Sequence, residues 1–256
     1  MVKPSGSDEE KMVRKTSLNT TVGNLVITCE HGGNQIPNGY RHLFRDCRAL
    51  LESHRGFDAG ALVMAKALAK HFEAPLVTST ISRLLVDLNR SVGHRDLHIK
   101  EVSDLSATIR HKIIDEYYQP YRSDAQNKLS EQIALWGRVL HISCHSFTNN
   151  YNGVIRKADI GLLYDPARRG ERDLCSHWKA ALNTITPDLT VRRNYPYFGR
   201  NDGFTSSMRK IYPPELYLGI ELEMNQKNLP SPSREWAPLR KSVISALEAA
   251  LTGNQS

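Results

Sequence analysis

The sequence has few cysteines and no long apolar run, and each shortage argues against a class of protein. It contains 4 cysteines in 256 residues, and no two of them form a Cys-x-x-Cys pair. This spacing argues against zinc ribbons and thioredoxin-like redox centres, so free thiols are expected. No uninterrupted apolar stretch approaches the roughly 20 residues that a membrane-spanning helix needs. We therefore expect a protein without membrane segments.

The N-terminal segment lacks the apolar core of a secretory signal. Residues 1–20 are rich in polar and charged side chains, and we expect them to form a flexible lead-in. No repeat, low-complexity tract or long linker divides the rest, which predicts a single domain over residues 21–256. A chain with free thiols and no signal is expected in the cytoplasm.

The chain carries an excess of positive charge. Its 34 lysines and arginines against 27 acidic residues give a formal net charge of +7 at pH 7. Such an excess can indicate a nucleic-acid-binding surface, and Tyr195, Tyr197 and Phe198 do lie among arginines. No helix-turn-helix, zinc-finger or RNA-binding signature accompanies them. A basic nucleic-acid-binding protein without catalysis is therefore kept as the alternative. The favoured expectation is a protein without a nucleic-acid partner.

Short apolar runs separated by stretches of helical periodicity predict an α/β fold with one central sheet. The predicted strands are Leu25–Cys29, Pro75–Thr78, Leu84–Asp87, Val139–Cys144, Ile160–Tyr164, Leu189–Arg192 and Tyr217–Met224. The predicted helices are Asp58–Phe72, Arg110–Gln119, Leu129–Trp136 and Ser233–Leu251, the second and third of which flank Pro120.

Two histidine-containing clusters stand at the ends of predicted strands, where open α/β sheets bind ligands. His31 and two glycines follow the first strand. In a later strand, alternation places His141, Ser143 and His145 on one side. His145, at the strand end, could share a centre with His31. Imidazoles are the commonest zinc ligands, and a catalytic zinc site needs about three protein ligands.

Carboxylates and an arginine stand at two further strand ends. Glu221 and Glu223 project to the same face of an apolar strand, where buried carboxylates must be paired, hydrogen-bonded or bound to metal. The alternative is the exposed face of an edge strand. Arg90 ends an Asp-x-Asn-Arg motif and is suited to hold a carboxylate through two parallel hydrogen bonds. The alternative for Arg90 is a salt bridge to Asp87.

Taken together, these segments resemble the N-formylglutamate amidohydrolase family over about residues 25 to 250. The resemblance rests on seven segments in the family's order: CEHGGNQIP, HRGFDAGA, SRLLVDLNR, HISCHSF, IRKADIGLLYD, RRNYPYFGRNDG and YLGIELEMNQ. More distantly, the chain is similar to zinc carboxypeptidases and aspartoacylase-like deacylases. The resemblance implies a three-layer α/β/α sandwich around a mixed central sheet and a zinc-dependent amidohydrolase.

The resemblance also implies a Zn²⁺ site with His31 and His145 as the first and last histidine ligands. The carboxypeptidase pattern has a glutamate three residues after the first histidine, where this sequence has Asn34. We therefore predict Asp58 as the third ligand, with Glu30 as the alternative. Asp58 has a rival role as the cap of the helix that follows it. The ligand types leave the identity of the metal open.

The same resemblance implies the roles of Glu221 and Arg90, and the expected amidase mechanism suggests the other candidates. Glu221 is the predicted general base, with Glu223 as the alternative. Two further catalytic candidates are cations that could stabilise the oxyanion of the tetrahedral intermediate, Arg156 and Arg193. The candidates for substrate binding are Arg90, Asn89, Asn194 and Tyr197.

The favoured function is hydrolysis of an N-acyl amino acid, with N-formyl-L-glutamate as the first candidate and formate and glutamate as products of this step of amino-acid catabolism. The expected partner is therefore a small acidic N-acyl amino acid. Alternatives are an amidase acting on another N-acyl amino acid or a cell-wall-derived peptide, and a catalytically silent relative that binds an acidic metabolite. Part of the positive charge, at Arg90 and Arg193, then has a use in attracting an anionic substrate.

Overall fold

The computed structural model describes residues 24–228 and 236–253 of the chain. The predicted lead-in over residues 1–20 and the first residues of the predicted C-terminal helix, 233–235, lie outside these described residues. None of the helices in the described ranges combines the length and the apolar character that a bilayer crossing requires.

Within the described residues, six strands form a central sheet and two short strands form a hairpin. The strands are β1 (Leu25–Cys29), β2 (Leu76–Thr78), β3 (Val139–Phe147), β4 (Asn150–Tyr151), β5 (Val154–Ile155), β6 (Ile160–Leu163), β7 (Val191–Arg193) and β8 (Tyr217–Asn225). The central sheet has the order β2-β1-β3-β8-β6-β7. Its neighbours are parallel except β6 and β8, which are antiparallel. The expectation of a mixed central sheet is confirmed.

The described helices lie between the strands and after the last of them. They are α1 (Arg48–Leu51), α2 (Ala61–His71), α3 (Lys100–Ser103), α4 (Ala107–Ile113), α5 (Gln119–Trp136), α6 (Arg169–Ile185), α7 (Phe204–Ile211) and α8 (Trp236–Thr252). Short 3₁₀ helices cover Asn38–Phe44 and Gln226–Asn228, and a π-helix over Ile114–Tyr118 joins α4 to α5. The prediction of separate helices flanking Pro120 is wrong, because helical structure continues from α4 through the π-helix into α5, with this proline near the start of α5.

Helices cover both faces of the sheet, which gives the three expected layers. Alternate strand residues point to opposite faces, and each set belongs to its own apolar cluster. On one face, Ile27, Ile142 and Leu222 pack with residues of α2, α6 and α8. On the other face, Val26 and Val139 pack with residues of α5, α7 and the segment between β2 and α4. The α/β fold class is therefore confirmed.

One predicted strand, Leu84–Asp87, is wrong. The segment is a buried turn in which the N–H of Leu85 donates to the carbonyl of Ser82 at 3.0 Å. Leu84, Leu85 and Val86 are all buried within the second apolar cluster. Their apolar character reflects packing and not strand pairing, and a short apolar run does not distinguish the two. The other predicted strands are confirmed, Leu25–Cys29 with its predicted ends and the rest with shifted ends, and β3 continues to Phe147, past its predicted end at Cys144.

Candidate active site

The carboxyl ends of three parallel strands bring the predicted residues to one edge of the sheet. His31 follows β1, while His145 and Glu223 lie near the ends of β3 and β8. In the register of β3 and β8, His145 is paired with Glu223, and Ser143 is paired with Glu221. Because paired residues of neighbouring strands point to the same side, the His145 imidazole and both carboxylates share one face of the sheet.

His31, Asp58 and His145 form a buried group at this edge. Asp58 Oδ2 lies 3.3 Å from His31 Nδ1 and 2.8 Å from His145 Nδ1. One possible ligand atom from each residue lies within 4.8 Å of the others. Two imidazoles and a carboxylate are the donor set of many catalytic zinc sites. The group could therefore hold a metal ion.

Asp58 does not cap the helix that follows it. Helix α2 begins at Ala61, and the preceding Gly60 adopts a left-handed conformation with φ of 81°. Only the backbone carbonyl of Asp58 takes part, as acceptor of the Ala61 N–H at 3.1 Å. The N–H of Asp58 in turn donates to the carbonyl of His31 at 2.9 Å, which fixes Asp58 beside this histidine. Of the two roles that the sequence left open, the structure favours contact with the histidines.

Each histidine turns its other ring nitrogen towards a second buried carboxylate. His31 Nε2 lies 2.7 Å from Asp87 Oδ1, and His145 Nε2 lies 3.2 Å from Glu30 Oε2. Carboxylates in such positions orient metal-binding imidazoles and raise their basicity. Both imidazoles are therefore held with Nδ1 directed at Asp58.

The group is strongly coupled by charge. Burial acts to raise the pKa of Asp58, but the charge and hydrogen bonds of His31 and His145 outweigh it and hold that pKa well below its usual range. Burial likewise acts to lower the pKa of His145, yet Asp58 and Glu30 hold it well above its usual range. Because a metal binds the neutral imidazole, metal binding would release a proton from this group.

Glu30, the alternative third ligand, lies behind His145. Its side chain is fully buried and accepts hydrogen bonds from Tyr121 Oη at 2.8 Å and Ser143 Oγ at 2.6 Å. Burial acts to raise the pKa of Glu30, but its hydrogen bonds with His145 and Ser143 hold that pKa well below its usual range. Glu30 is thus an ionised carboxylate placed to orient His145, and Asp58 is the better candidate ligand.

We expect the Glu30→Gln variant to bind Zn²⁺ about 10–100-fold more weakly than the wild type, because a neutral amide orients His145 less firmly. Competition with a chelating dye measures the dissociation constant. Glu248→Gln is the matched control, since Glu248 also contacts a histidine, His71, at 3.5 Å, but on the exposed surface. Unchanged affinity in a correctly folded Glu30→Gln protein would contradict the orienting role.

Arg83 and Asp87 complete the group, and the sequence interpretation gave neither residue a role in the site. Arg83 Nη2 donates to Asp87 Oδ2 at 2.8 Å, and Arg83 Nη1 lies 3.4 Å from Asp58 Oδ1. The positive charges of Arg83 and His31 overcome burial and hold the pKa of Asp87 well below its usual range. The salt bridge suggested for Arg90 and Asp87 is therefore replaced by one with Arg83. The available signal was the pair of charged residues that brackets the apolar run in SRLLVD.

Glu221 and Glu223 lie on a central strand, so the edge-strand alternative is wrong. Glu221 Oε1 accepts a hydrogen bond from Thr205 Oγ1 at 2.6 Å. Glu223 Oε2 is buried without a hydrogen-bond partner among the described residues. Burial, reinforced by the carboxylates of Asp58 and Glu221, raises the pKa of Glu223 to about 8. A carboxyl with a pKa near neutral pH can both accept and donate a proton.

These residues open into a cavity of about 1050 Å³. The predicted site residues that line it are His31, Asp58, Asn89, Arg90, His145, Arg156, Tyr197, Glu221 and Glu223. Arg90 Nη1 donates to the carbonyl of Asp202 at 3.0 Å. Asn89 Oδ1 accepts the N–H of Phe204 at 2.6 Å, which joins the segment after Asp87 to α7. Most of the predicted site is thus brought together in one cavity.

The structure does not bring Arg193 and Asn194 to this cavity. Arg193 is exposed on the edge strand β7, and its Nη1 donates to Ser176 Oγ on α6. Asn194 Oδ1 accepts the backbone N–H groups of Tyr164 and Gly199, both at 3.0 Å, and so stabilises the loop after β7. The geometry therefore gives both residues structural contacts and does not support their predicted catalytic and substrate-binding roles.

Comparison with known proteins identifies a family. Residues 23–229 match the family model of N-formylglutamate amidohydrolase. No curated protein is significantly similar to the chain. A solved gene product of Agrobacterium tumefaciens is 27% identical, with a TM-score of 0.80, over 94% of this chain and 95% of that one. The N-formylglutamate amidohydrolase of Ralstonia eutropha JMP134 is 19% identical, with a TM-score of 0.67 over 89% and 92% of the two chains, and shares the fold.

Proposed function

The chain belongs to the N-formylglutamate amidohydrolase family, and on this basis we propose that it hydrolyses the amide bond of a small acidic N-acyl amino acid. N-formyl-L-glutamate is the first candidate substrate. The observation that carries the proposal is the buried group of His31, Asp58 and His145, which lies beside two carboxylates in a large cavity.

The donor set fits a divalent metal, and we propose Zn²⁺. All three side chains are buried, and the outer carboxylates of Asp87 and Glu30 orient the two imidazoles. A divalent cation bound there would polarise the amide carbonyl, activate water and, through its charge, favour the ionised form of Glu223.

Glu223 is the residue that moves the proton in this proposal. Its unpartnered Oε2 takes a proton from the attacking water as the water oxygen bonds to the carbonyl carbon. Glu223 then returns the proton to the amide nitrogen as the carbon–nitrogen bond breaks. The remaining water proton leaves the new carboxyl group and is taken up by the amine, so the products are the carboxylate of the acyl group and the protonated amine. Glu223 is preferred to Glu221, the first choice from the sequence, because Thr205 already donates to Glu221.

Cations in the cavity suit a negatively charged substrate and transition state. Arg83 ion-pairs with Asp58 and Asp87 and lies next to the candidate metal ligands, where negative charge develops on the carbonyl oxygen. Arg90 and Arg156 also line the cavity. Arginine binds carboxylates through two parallel hydrogen bonds, so these two residues are available for the carboxylates of the substrate.

Metal analysis combined with a substrate panel tests the proposed function. We expect the purified protein to carry zinc, to release formate from N-formyl-L-glutamate, to lose turnover when a chelator removes the metal, and to regain it when Zn²⁺ is restored. The panel also contains N-acetyl and N-succinyl amino acids. If the protein hydrolyses only the N-acetyl or N-succinyl compounds, formyl would be the wrong acyl group, but the assignment as an amidase would stand. A metal-loaded protein that hydrolyses none of them would overturn the proposal.

A further inference from the structure

Resting on the proposed function, we propose that Arg156, together with the aromatic side chains around it, forms the subsite that binds the α-carboxylate of the N-acyl amino acid. The aromatic residues are Phe147, Tyr151 and Tyr197. This role differs from stabilisation of the oxyanion, for which the sequence suggested Arg156.

The backbone of Arg156 is fixed to the site edge of the central sheet. The Arg156 N–H donates to the carbonyl of Asn149 at 2.7 Å. Its own carbonyl accepts a hydrogen bond at 2.9 Å from the side chain of Asn225, the last residue of β8. Asn149 follows the end of β3. The residue is therefore anchored at the edge of the sheet where His145 and Glu223 lie.

The side chain of Arg156 is an enclosed cation without a carboxylate partner. It is 9% exposed, it makes no ion pair with any described residue, and its Nη1 has no hydrogen-bond partner there. By contrast, the buried side chain of Arg209 pairs with Glu171 at 3.0 Å. Burying a guanidinium without a counter-ion costs desolvation free energy. A bound anion would offset this cost at Arg156.

Aromatic rings support this cation without neutralising it. The guanidinium carbon lies 4.4 Å from the ring centroid of Tyr151, 5.2 Å from that of Tyr197 and 5.8 Å from that of Phe147. Ring faces attract a cation electrostatically but carry no net charge. A guanidinium held against rings keeps its planar set of N–H donors, which matches the two oxygens of a carboxylate. The subsite is thus suited to a carboxylate ligand.

Tyr197 belongs to this subsite and lines the same cavity as the proposed proton carrier. Arg156 Nη2 donates to Tyr197 Oη at 3.4 Å, and burial together with the charge of Glu223 raises the pKa of Tyr197. Arg156 and Glu223 line the same cavity. In an N-acyl amino acid, a single carbon separates the α-carboxylate from the amide nitrogen, so the α-carboxylate is the one nearest to Glu223. Arg90 then remains available for a side-chain carboxylate.

Kinetics with a substrate and its α-amide test the subsite. For the Arg156→Lys variant, we expect the KM for N-formyl-L-glutamate to rise about 10–100-fold, the range expected from losing a hydrogen bond to a charged group, with kcat nearly unchanged. For the wild type, replacing the α-carboxylate by a carboxamide should raise KM similarly. The variant should show no further loss with the α-amide, because the two changes remove the same interaction.

Arg48→Lys is the matched control, since Arg48 is 87% exposed and pairs only with Glu52 one helical turn away. A fall in kcat that is equal for the acid and the α-amide would overturn the subsite in favour of a role at the carbonyl oxygen. An unchanged KM would overturn it as well.

The two proposals fail in different ways. If the metal-loaded wild type hydrolyses no N-acyl amino acid, the proposed function fails, and calorimetric binding of N-acetyl-L-glutamate and its α-amide then decides the subsite. A preference for the free acid that Arg156→Lys removes would support the subsite. Equal binding of the two compounds by the wild type would overturn it.

Discussion

The His145→Ala variant is expected to lose bound metal and detectable hydrolysis together. His145 supplies one of the three candidate ligands, and its ring lies between the buried carboxylates of Asp58 and Glu30. Removing one of three ligands should weaken zinc binding by about 10²–10⁴-fold, as a share of the total binding energy of a structural zinc site. Zinc content after gel filtration and formate release measure the two losses.

The same strand supplies a matched control for this variant. His141 is also buried on the site face of β3, but its ring nitrogens contact Thr28 Oγ1 at 2.8 Å and Tyr217 Oη at 2.7 Å. The His141→Ala variant leaves a cavity of the same size, so any general defect in folding should affect both proteins. We expect the His141 variant to retain zinc. If His145→Ala kept zinc and turnover at the level of the wild type, the metal centre would be wrongly assigned.

The Glu223→Gln variant is expected to lose about 10²–10⁴-fold in kcat while it retains the metal. Its amide nitrogen cannot accept the proton of water, and Glu223 lies outside the group of candidate metal ligands. Glu221→Gln is the matched control on the same strand and should have a smaller effect, because Glu221 is already held by Thr205. Formate release is measured at equal zinc content. A larger loss of kcat in Glu221→Gln than in Glu223→Gln would make Glu221 the general base.

Stability of the metal-free protein gives a second measurement on Glu223. The pKa of this carboxyl is raised from 4.5 to about 8 in the folded protein. Between these pH values the folded state holds a proton that the unfolded chain has released. The resulting stabilisation is fully present below pH 4.5 and is lost as the pH rises to about 8. The melting temperature of metal-free wild type should therefore fall relative to that of Glu223→Gln over this range, and parallel curves would contradict the raised pKa.

The sequence predicts most of the fold because the strands of the central sheet are covered on both faces and read as short apolar runs. The same reasoning fails at Leu84–Asp87, since a buried turn fills the core with the same residue types. It also divides the helical segment at Pro120, because a proline in the first turn of a helix resembles a helix break. In both segments the residue types indicate that the side chains are buried, but they do not determine the backbone hydrogen bonds, which only the structure shows.

The candidate metal ligands could be predicted because His31 and His145 stand at strand ends that the fold brings together. The choice between the two roles of Asp58 depended on where helix α2 begins, which the sequence does not mark. The contribution of Arg83 was missed although its partner Asp87 lies only four residues away, because its other partner, Asp58, belongs to a separate loop. Networks of this kind depend on the geometry of side chains that are distant along the chain.

The residues proposed for the reaction and those proposed for substrate binding lie in different parts of the chain, because β6 runs antiparallel to β8 and is reached from β3 through a separate connection. His31, His145 and the proton carrier Glu223 lie at or just beyond the carboxyl ends of parallel strands, whereas Arg156 and Tyr151 belong to the connection from β3 through the β4–β5 hairpin into β6. This connection can change in length and composition without altering the pairing of β1, β3 and β8. Substrate range could therefore diverge between relatives by variation in one short insertion, while the reaction itself stays the same.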